Sequence, residues 1–356
     1  MLHLSASRRD LRFNFPARTS RGALAVHTAW YLQLRATTDP DGPVGLGEAA
    51  PLAGLSPDYG PGFAGEVTAL CERFNATGFS DFAAADAPAM VGPGRPALAF
   101  ALETAALDFA GGGQRQLYAN AFSTGRAGLP INGLVWMGDA AFMRQQIEEK
   151  LAAGYRCLKL KIGGLDFETE LVLLGEIRAV AGPAELVLRV DANGAFAPAE
   201  AMQKLERLAQ FDLHSIEQPI GAGQWAALAE VCRRSPVPVA LDEELIGLDD
   251  SARPAALLDA VRPAYLVLKP TLLGGHAATR RWIALAEAHD VSWWMTSALE
   301  SNVGLSAVAQ LTAEYPVGNF AQGLGTGQLY HNNVAAPLRI AAGLLRYDPA
   351  GAWEMP

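Results

Sequence analysis

The sequence predicts an α/β chain in which an N-terminal α+β unit precedes a closed barrel of parallel strands. Three observations carry that expectation. From Pro130 onward, short apolar strands alternate with helical stretches, the pattern of βα units. Successive units are about 25–30 residues long, the length of a strand, a helix and two loops. No clear reversal interrupts the series, so eight strands read as a closed barrel rather than an open sheet.

Taken in order, Ala23 to Leu34 has strand composition, and Val44 to Leu52 ends in turn chemistry. Helical segments follow around Tyr59 to Asn75 and from Pro96 to Phe109, the second stopping at Gly111-Gly112-Gly113. That triple glycine and the polar stretch to Gly128 mark a boundary, and without a following Gly-Lys-Ser/Thr they are no phosphate loop. The barrel strands are then Ile131–Val135, Cys157–Lys161, Leu186–Asp191, Ser215–Glu217, Val237–Asp242, Tyr265–Lys269 and Val291–Thr296, with a weaker eighth near Asn319–Gly323. This gives an α+β domain over residues 1–115, a barrel over 125–330, and a tail over 335–356 expected to pack back on the first domain.

Composition narrows the function. A net charge of −9 argues against nucleic acid as a partner, because phosphate binding needs a basic surface. No run of about 18 apolar residues is present to cross a membrane. Three widely spaced cysteines, Cys71, Cys157 and Cys232, form neither a disulfide framework nor a zinc pair, which places the chain in a reducing cytoplasm. Ser7-Arg8-Arg9 has the start of a twin-arginine export signal, but Asp10 to Asn14 interrupt the apolar run it requires. A homo-oligomer is left open.

Of 28 basic residues only five are lysine: Lys150, Lys159, Lys161, Lys204 and Lys269. Unlike arginine, a lysine can lose its proton and act as a base. Charged residues end five consecutive strands, Lys161, Asp191, Glu217, Asp242 and Lys269, at separations of 30, 26, 25 and 27 residues. Each holds the same place in its repeat, and the C-terminal strand ends ring the mouth where barrel active sites are built. The period of two puts Lys159 and Lys161 on one face of their strand and Leu158, Leu160 and Ile162 on the other. The lysines therefore point into the barrel, as does Arg189 beside Asp191. Two such ammonium groups repel, which lowers the proton affinity of each and makes a base usable near neutral pH. Asp191, Glu217 and Asp242 offer only carboxylate oxygen, which favours a hard cation such as Mg²⁺, with Mn²⁺ as a substitute, over zinc. A carboxylate-bound cation between lysines is the apparatus for removing a proton α to a carboxylate, so the expected partner is a small-molecule carboxylate.

At these residues the chain resembles the enolase superfamily and, within it, the muconate-lactonizing subgroup. Lys159-Leu160-Lys161 matches the subgroup's Lys-x-Lys; Asp191-Ala192-Asn193, Glu217-Gln218-Pro219 and Leu241-Asp242-Glu243 match its metal-ligand segments; Lys269-Pro270 matches its opposing lysine. Gly47 to Leu52, Leu188 to Gly194, Leu268 to Gly275, Ser297 to Leu305 and Gln322 to Tyr330 are similar to the o-succinylbenzoate synthases of menaquinone biosynthesis. The resemblance runs from about residue 20 to 335. It implies a modified (β/α)7β TIM-like barrel behind an N-terminal capping domain. It also implies a hydro-lyase in which Lys161 removes the α proton, Lys269 stabilises the enediolate from the opposite face and Lys159 tunes Lys161. Asp191, Glu217 and Asp242 would hold Mg²⁺, as superfamily sites do beside a lysine or histidine base. Arg189 would add positive charge near the substrate. Ser297, Asn193 and Arg21, the last within Thr19-Ser20-Arg21, would be further substrate contacts. Glu48 is expected to cap or pair within the first domain.

Two other readings stay open at this point. Racemisation of N-succinyl or N-acyl amino acids would suit two opposed lysines equally well. A non-catalytic barrel scaffold would have little reason to keep the three lysines and three acids.

Overall fold

Alternating leucines start the chain as a strand: Leu2 and Leu4 are buried between exposed neighbours, and the pattern resumes at Leu11 and Phe13. The computed structural model describes residues 1–19, 22–248 and 252–356. In it β1 (Leu2–Thr19) pairs antiparallel with β2 (Gly22–Ala36), with a register shift between Arg12 and Ala17, and β2 pairs with β3 (Val44–Ala49). Helices Phe63–Thr77 and Pro96–Ala110 cover one face of this sheet and bury Leu32, Leu34, Phe74 and Leu102 between them. Gly47 lies in β3 where the helix backbone comes so near that a Cβ would meet the Ala101 carbonyl oxygen.

The long first strand was missed because its centre, Ser7-Arg8-Arg9-Asp10, carries polar residues on both faces. Arg9 is satisfied there by Glu354, at 2.6 Å, from the far end of the chain.

The second unit is a parallel sheet in strict sequence order: β5 (Gly133–Val135), β6 (Cys157–Lys161), β7 (Val187–Asp191), β8 (Ser215–Glu217), β9 (Val239–Leu241), β10 (Tyr265–Leu268) and β11 (Ser292–Met295). A helix follows each strand, the last being Asn302–Thr312. The eighth position is filled by Gln322 and Gly323, which bridge to Ile131 on one side and Thr296 on the other and so close the ring. The architecture is therefore the (β/α)7β barrel with an N-terminal strand domain. Leu158, Leu160, Leu188, Val190 and Ile216 turn outward into the helical layer, which leaves the alternate positions to line the interior.

The tail divides. β12 (Leu338–Ala341) and β13 (Leu344–Tyr347) form a hairpin that joins β4 (Leu129–Pro130) beneath the barrel. The last residues reach the first unit, where Gln33 donates to the Pro356 carbonyl at 3.2 Å. Among the described residues no helix is long and apolar enough to cross a membrane.

Candidate active site

Strand register assembles the charged residues. Lys161 is the Cα partner of Asp191, and Asp191 of Glu217, while Asp242 and Lys269 each follow directly on the last residue of the next two strands. All five are at most 8% exposed, as is Lys159. Lys159 Nζ lies 2.9 Å from Asp191 Oδ2 and 2.5 Å from Glu217 Oε2. Lys161 Nζ donates to the same Asp191 Oδ2 at 2.6 Å and to Asn193 Oδ1 at 3.0 Å. Lys269 pairs with Asp242. The spacing of 25–30 residues thus converts to one crescent around the barrel mouth, three acids flanked by lysines.

The expected depression of lysine proton affinity by mutual repulsion is reversed at Lys159. Burial pulls the Lys159 ammonium down, but the Asp191 and Glu217 carboxylates beside it raise it above the ordinary value. Lys269 is likewise raised, Asp242 outweighing burial. Burial pushes the Asp191 carboxyl up, and the two lysines reverse this to well below the usual range. Glu217 goes the other way: burial and then the Asp191 anion push it well above. Anions nearer than the like charge decide the sign.

Glu217 also shows where a cation is wanted. Neither of its buried carboxylate oxygens has a hydrogen-bond partner, although Lys159 Nζ is close, because the ammonium approaches outside hydrogen-bond direction. Three hard oxygen donors on neighbouring strand ends, one of them unsatisfied, suit Mg²⁺. Among the described residues no three acids already converge at ligand geometry, and Lys159 Nζ stands between Asp191 and Glu217.

Above the crescent is a cavity of about 80 Å³ lined by Lys159, Lys161, Lys269, Ser297, Trp136 and Leu52, among others. Two larger cavities, about 640 and 530 Å³, contain none of the three lysines, which share the small one. Ser297 belongs to it. Its hydroxyl donates to Glu300 Oε2 at 2.5 Å and accepts from Thr326 Oγ1 at 2.8 Å. Asn193 holds a left-handed backbone (φ 45°) and donates to Glu243 Oε1 at 3.0 Å, so its oxygen faces Lys161. Arg189 does not join them. Two residues nearer the strand's start, it lines the 530 Å³ cavity at the other end of the barrel and not the cavity of the lysines. Arg21 and Ser20 lie outside the described residues.

Sequence reasoning gave no role to Glu300, which accepts from Thr271 Oγ1 at 2.6 Å as well as from Ser297 and so ties the loop after Lys269 to the loop after β11. Its signal was present: an acid three residues beyond a strand-end serine. Glu48 was assigned to its own unit, but it accepts from Ser301 N at 2.7 Å, Ser301 Oγ at 2.6 Å and Gly304 N at 2.7 Å, capping a barrel helix. Leu52, Leu55 and Trp136, which wall the cavity, had no polar signal to find.

Residues 142–351 match the family model described as enolase C-terminal domain-like. The chain is 48% identical over 368 aligned residues to the o-succinylbenzoate synthase of Desulfotalea psychrophila, covering 97% of this chain and 98% of that protein. The crystal structure of MenC from Desulfotalea psychrophila superposes with a TM-score of 0.84 at 44% identity, over 97% of this chain and 99% of that one. The dipeptide epimerase of Enterococcus faecalis, complexed with Mg and L-Leu-L-Tyr, superposes at 0.81 with 20% identity over 98% and 96%, a likeness of fold.

Proposed function

The chain belongs to the enolase C-terminal domain-like family and, within it, to the o-succinylbenzoate synthases, and on that premise we propose that it dehydrates 2-succinyl-6-hydroxy-2,4-cyclohexadiene-1-carboxylate to o-succinylbenzoate for menaquinone biosynthesis. The observation that carries this reading is the pair Lys161 and Lys269, set at strand ends on either side of the three acids and facing one cavity.

Asp191, Glu217 and Asp242 would hold Mg²⁺. When bound, the dication supplies positive charge against a substrate carboxylate as it gains electron density. Lys161 takes the proton α to that carboxylate. The electron pair left behind passes into the carboxylate, giving an enediolate, and the Lys269 ammonium stabilises it from the opposite face. Return of the pair expels the 6-hydroxyl as the Lys161 ammonium gives it the same proton, so water leaves from the face that lost hydrogen. Lys159 keeps its proton between Asp191 and Glu217. It shares the Asp191 Oδ2 oxygen with Lys161, at 2.9 and 2.6 Å, and so fixes that carboxylate beside the base. Ser297, held by Glu300 and Thr326, and Asn193, turned by Glu243, would be the further substrate contacts. Three cysteines without a disulfide fit a reducing cytoplasm.

The test is to incubate the protein with Mg²⁺ and the cyclohexadiene carboxylate, following loss of diene absorbance, with N-succinyl amino acids alongside. Fast dehydration abolished by chelation supports the proposal. Racemisation without dehydration would leave the family and the metal site standing and remove the pathway assignment.

A further inference from the structure

Arg189 is a buried cation with too few partners. It is 2% exposed, and among the described residues its hydrogen bonding amounts to Nη1 donating to the Ala321 carbonyl at 2.8 Å. Its Nε has no acceptor. The guanidinium lies between two rings, 4.2 Å from the centroid of Trp294 and 4.6 Å from that of Phe320. Trp294 Nε1, in the same stack, is also buried without an acceptor. Cation–π contact offsets part of the desolvation of a guanidinium, but two buried donors without acceptors remain costly. An arrangement short of acceptors around a positive charge is matched by an anion.

The space for one is present. Arg189 lines the cavity of about 530 Å³ at the N-terminal ends of the strands, opposite the lysines, within the usual size range for small-molecule sites. Its walls are apolar on one side, with Ile131, Leu186, Phe320 and Leu344, the last from the tail hairpin. On the other side stands His214, whose Nδ1 meets Ser215 Oγ at 3.0 Å. Burial and the Arg189 cation push this imidazole down to about 4, so it is neutral at pH 7 and offers a hydrogen bond rather than a charge. Arg156 and Glu185, both exposed, lie at the rim.

We propose that this floor cavity is a second ligand site, binding an aromatic or short aliphatic carboxylate with its head on Arg189 and its body against Phe320, Ile131 and Leu344. A guanidinium takes a carboxylate in two parallel hydrogen bonds, and the apolar walls select an acid with a hydrocarbon body over a bare oxyanion.

Benzoate is the probe, titrated calorimetrically into the full chain. The lysine-lined mouth could also attract a carboxylate, so a Lys161→Ala/Lys269→Ala variant is titrated in parallel. Ala184 is an exposed residue of the cavity wall, and Ala184→Trp adds bulk to that wall while leaving Arg189 itself unchanged. The expected result is saturable one-site binding to wild type and to the lysine variant, weakened at least about tenfold by Ala184→Trp and by Arg189→Met. If Arg189→Met fails to fold, Ala184→Trp decides. Binding lost in the lysine variant but kept in Ala184→Trp would place benzoate in the mouth and overturn the proposal. So would inorganic phosphate binding as tightly as benzoate, or no saturation at tens of millimolar, the latter showing that rings and carbonyl alone satisfy Arg189.

Discussion

At the scale of single residues, the site is a set of ionic pairs waiting to be exchanged. Lys161 and Lys269 are proposed to act on opposite faces of one substrate, so removing either amine should stop turnover while the fold stays. Lys161→Ala and Lys269→Ala are each expected to lower kcat by about 10²–10⁴, the contribution of a positioned acid–base group, with an unchanged far-ultraviolet dichroism spectrum. Glu217 yields a prediction of the other kind. Burial and Asp191 favour its neutral form, and glutamine imitates that form. Glu217→Gln should therefore keep or raise the Tm of the metal-free protein and abolish the further rise that Mg²⁺ produces in the wild type. A fall in Tm without metal would show that the charge on Glu217 is needed for folding. The residue scale was also the most legible in sequence. Three acids and two lysines at one repeat spacing could be read without coordinates, because parallel barrel strands turn equal spacing into equal height. For Arg189, period two fixed the inward face but not the depth, and two residues along a strand separate the mouth from the floor.

At the scale of elements, two carboxylates of the first unit grip the starts of barrel helices. Glu48 caps Asn302–Thr312, and Glu103 accepts from His276 N at 2.6 Å and Ala277 N at 2.9 Å at the start of Gly275–Ala288. Helix N-termini favour such anions, yet burial pushes both carboxyls up to about 7. A carboxyl raised from the ordinary 4.5 binds its proton more tightly folded than unfolded. Its contribution is then fully present below pH 4.5 and is lost as pH rises through 7. The Tm of the metal-free protein should fall between pH 5 and 8, and Glu103→Gln should flatten part of that slope; a Tm rising across this window would contradict it. The strands were legible as apolar runs within a residue or two, since each is buried on both sides. β1 was not, because a strand clasped by another segment's charges carries no apolar alternation at that point. Neither cap was legible, because the distance between Glu48 and Ser301 along the chain hides their contact.

At the scale of the whole molecule, the ring of strands is uneven. Seven positions are continuous strands, while the eighth is two residues joined by four backbone hydrogen bonds: Gln322 N to Pro130 O at 2.8 Å, Asn132 N to Gln322 O at 3.0 Å, Gly323 N to Met295 O at 2.8 Å and Ser297 N to Gly323 O at 3.0 Å. Sequence marked this strand as weak for the same reason that it is short. Gln322 compensates with its amide, accepting from Met295 N at 2.8 Å and donating to Phe320 O at 2.8 Å. Local opening follows the least-bonded element, so amides at 295–297 and 322–323 should exchange with deuterium before those of Cys157–Lys161; equal protection would refute this. The barrel is then a cask with one narrow stave. Leakage begins at that stave, beside Ser297 and Thr326, which gives the cavity wall a built-in place to part and reseal while the staves bearing the lysines and acids stay fixed.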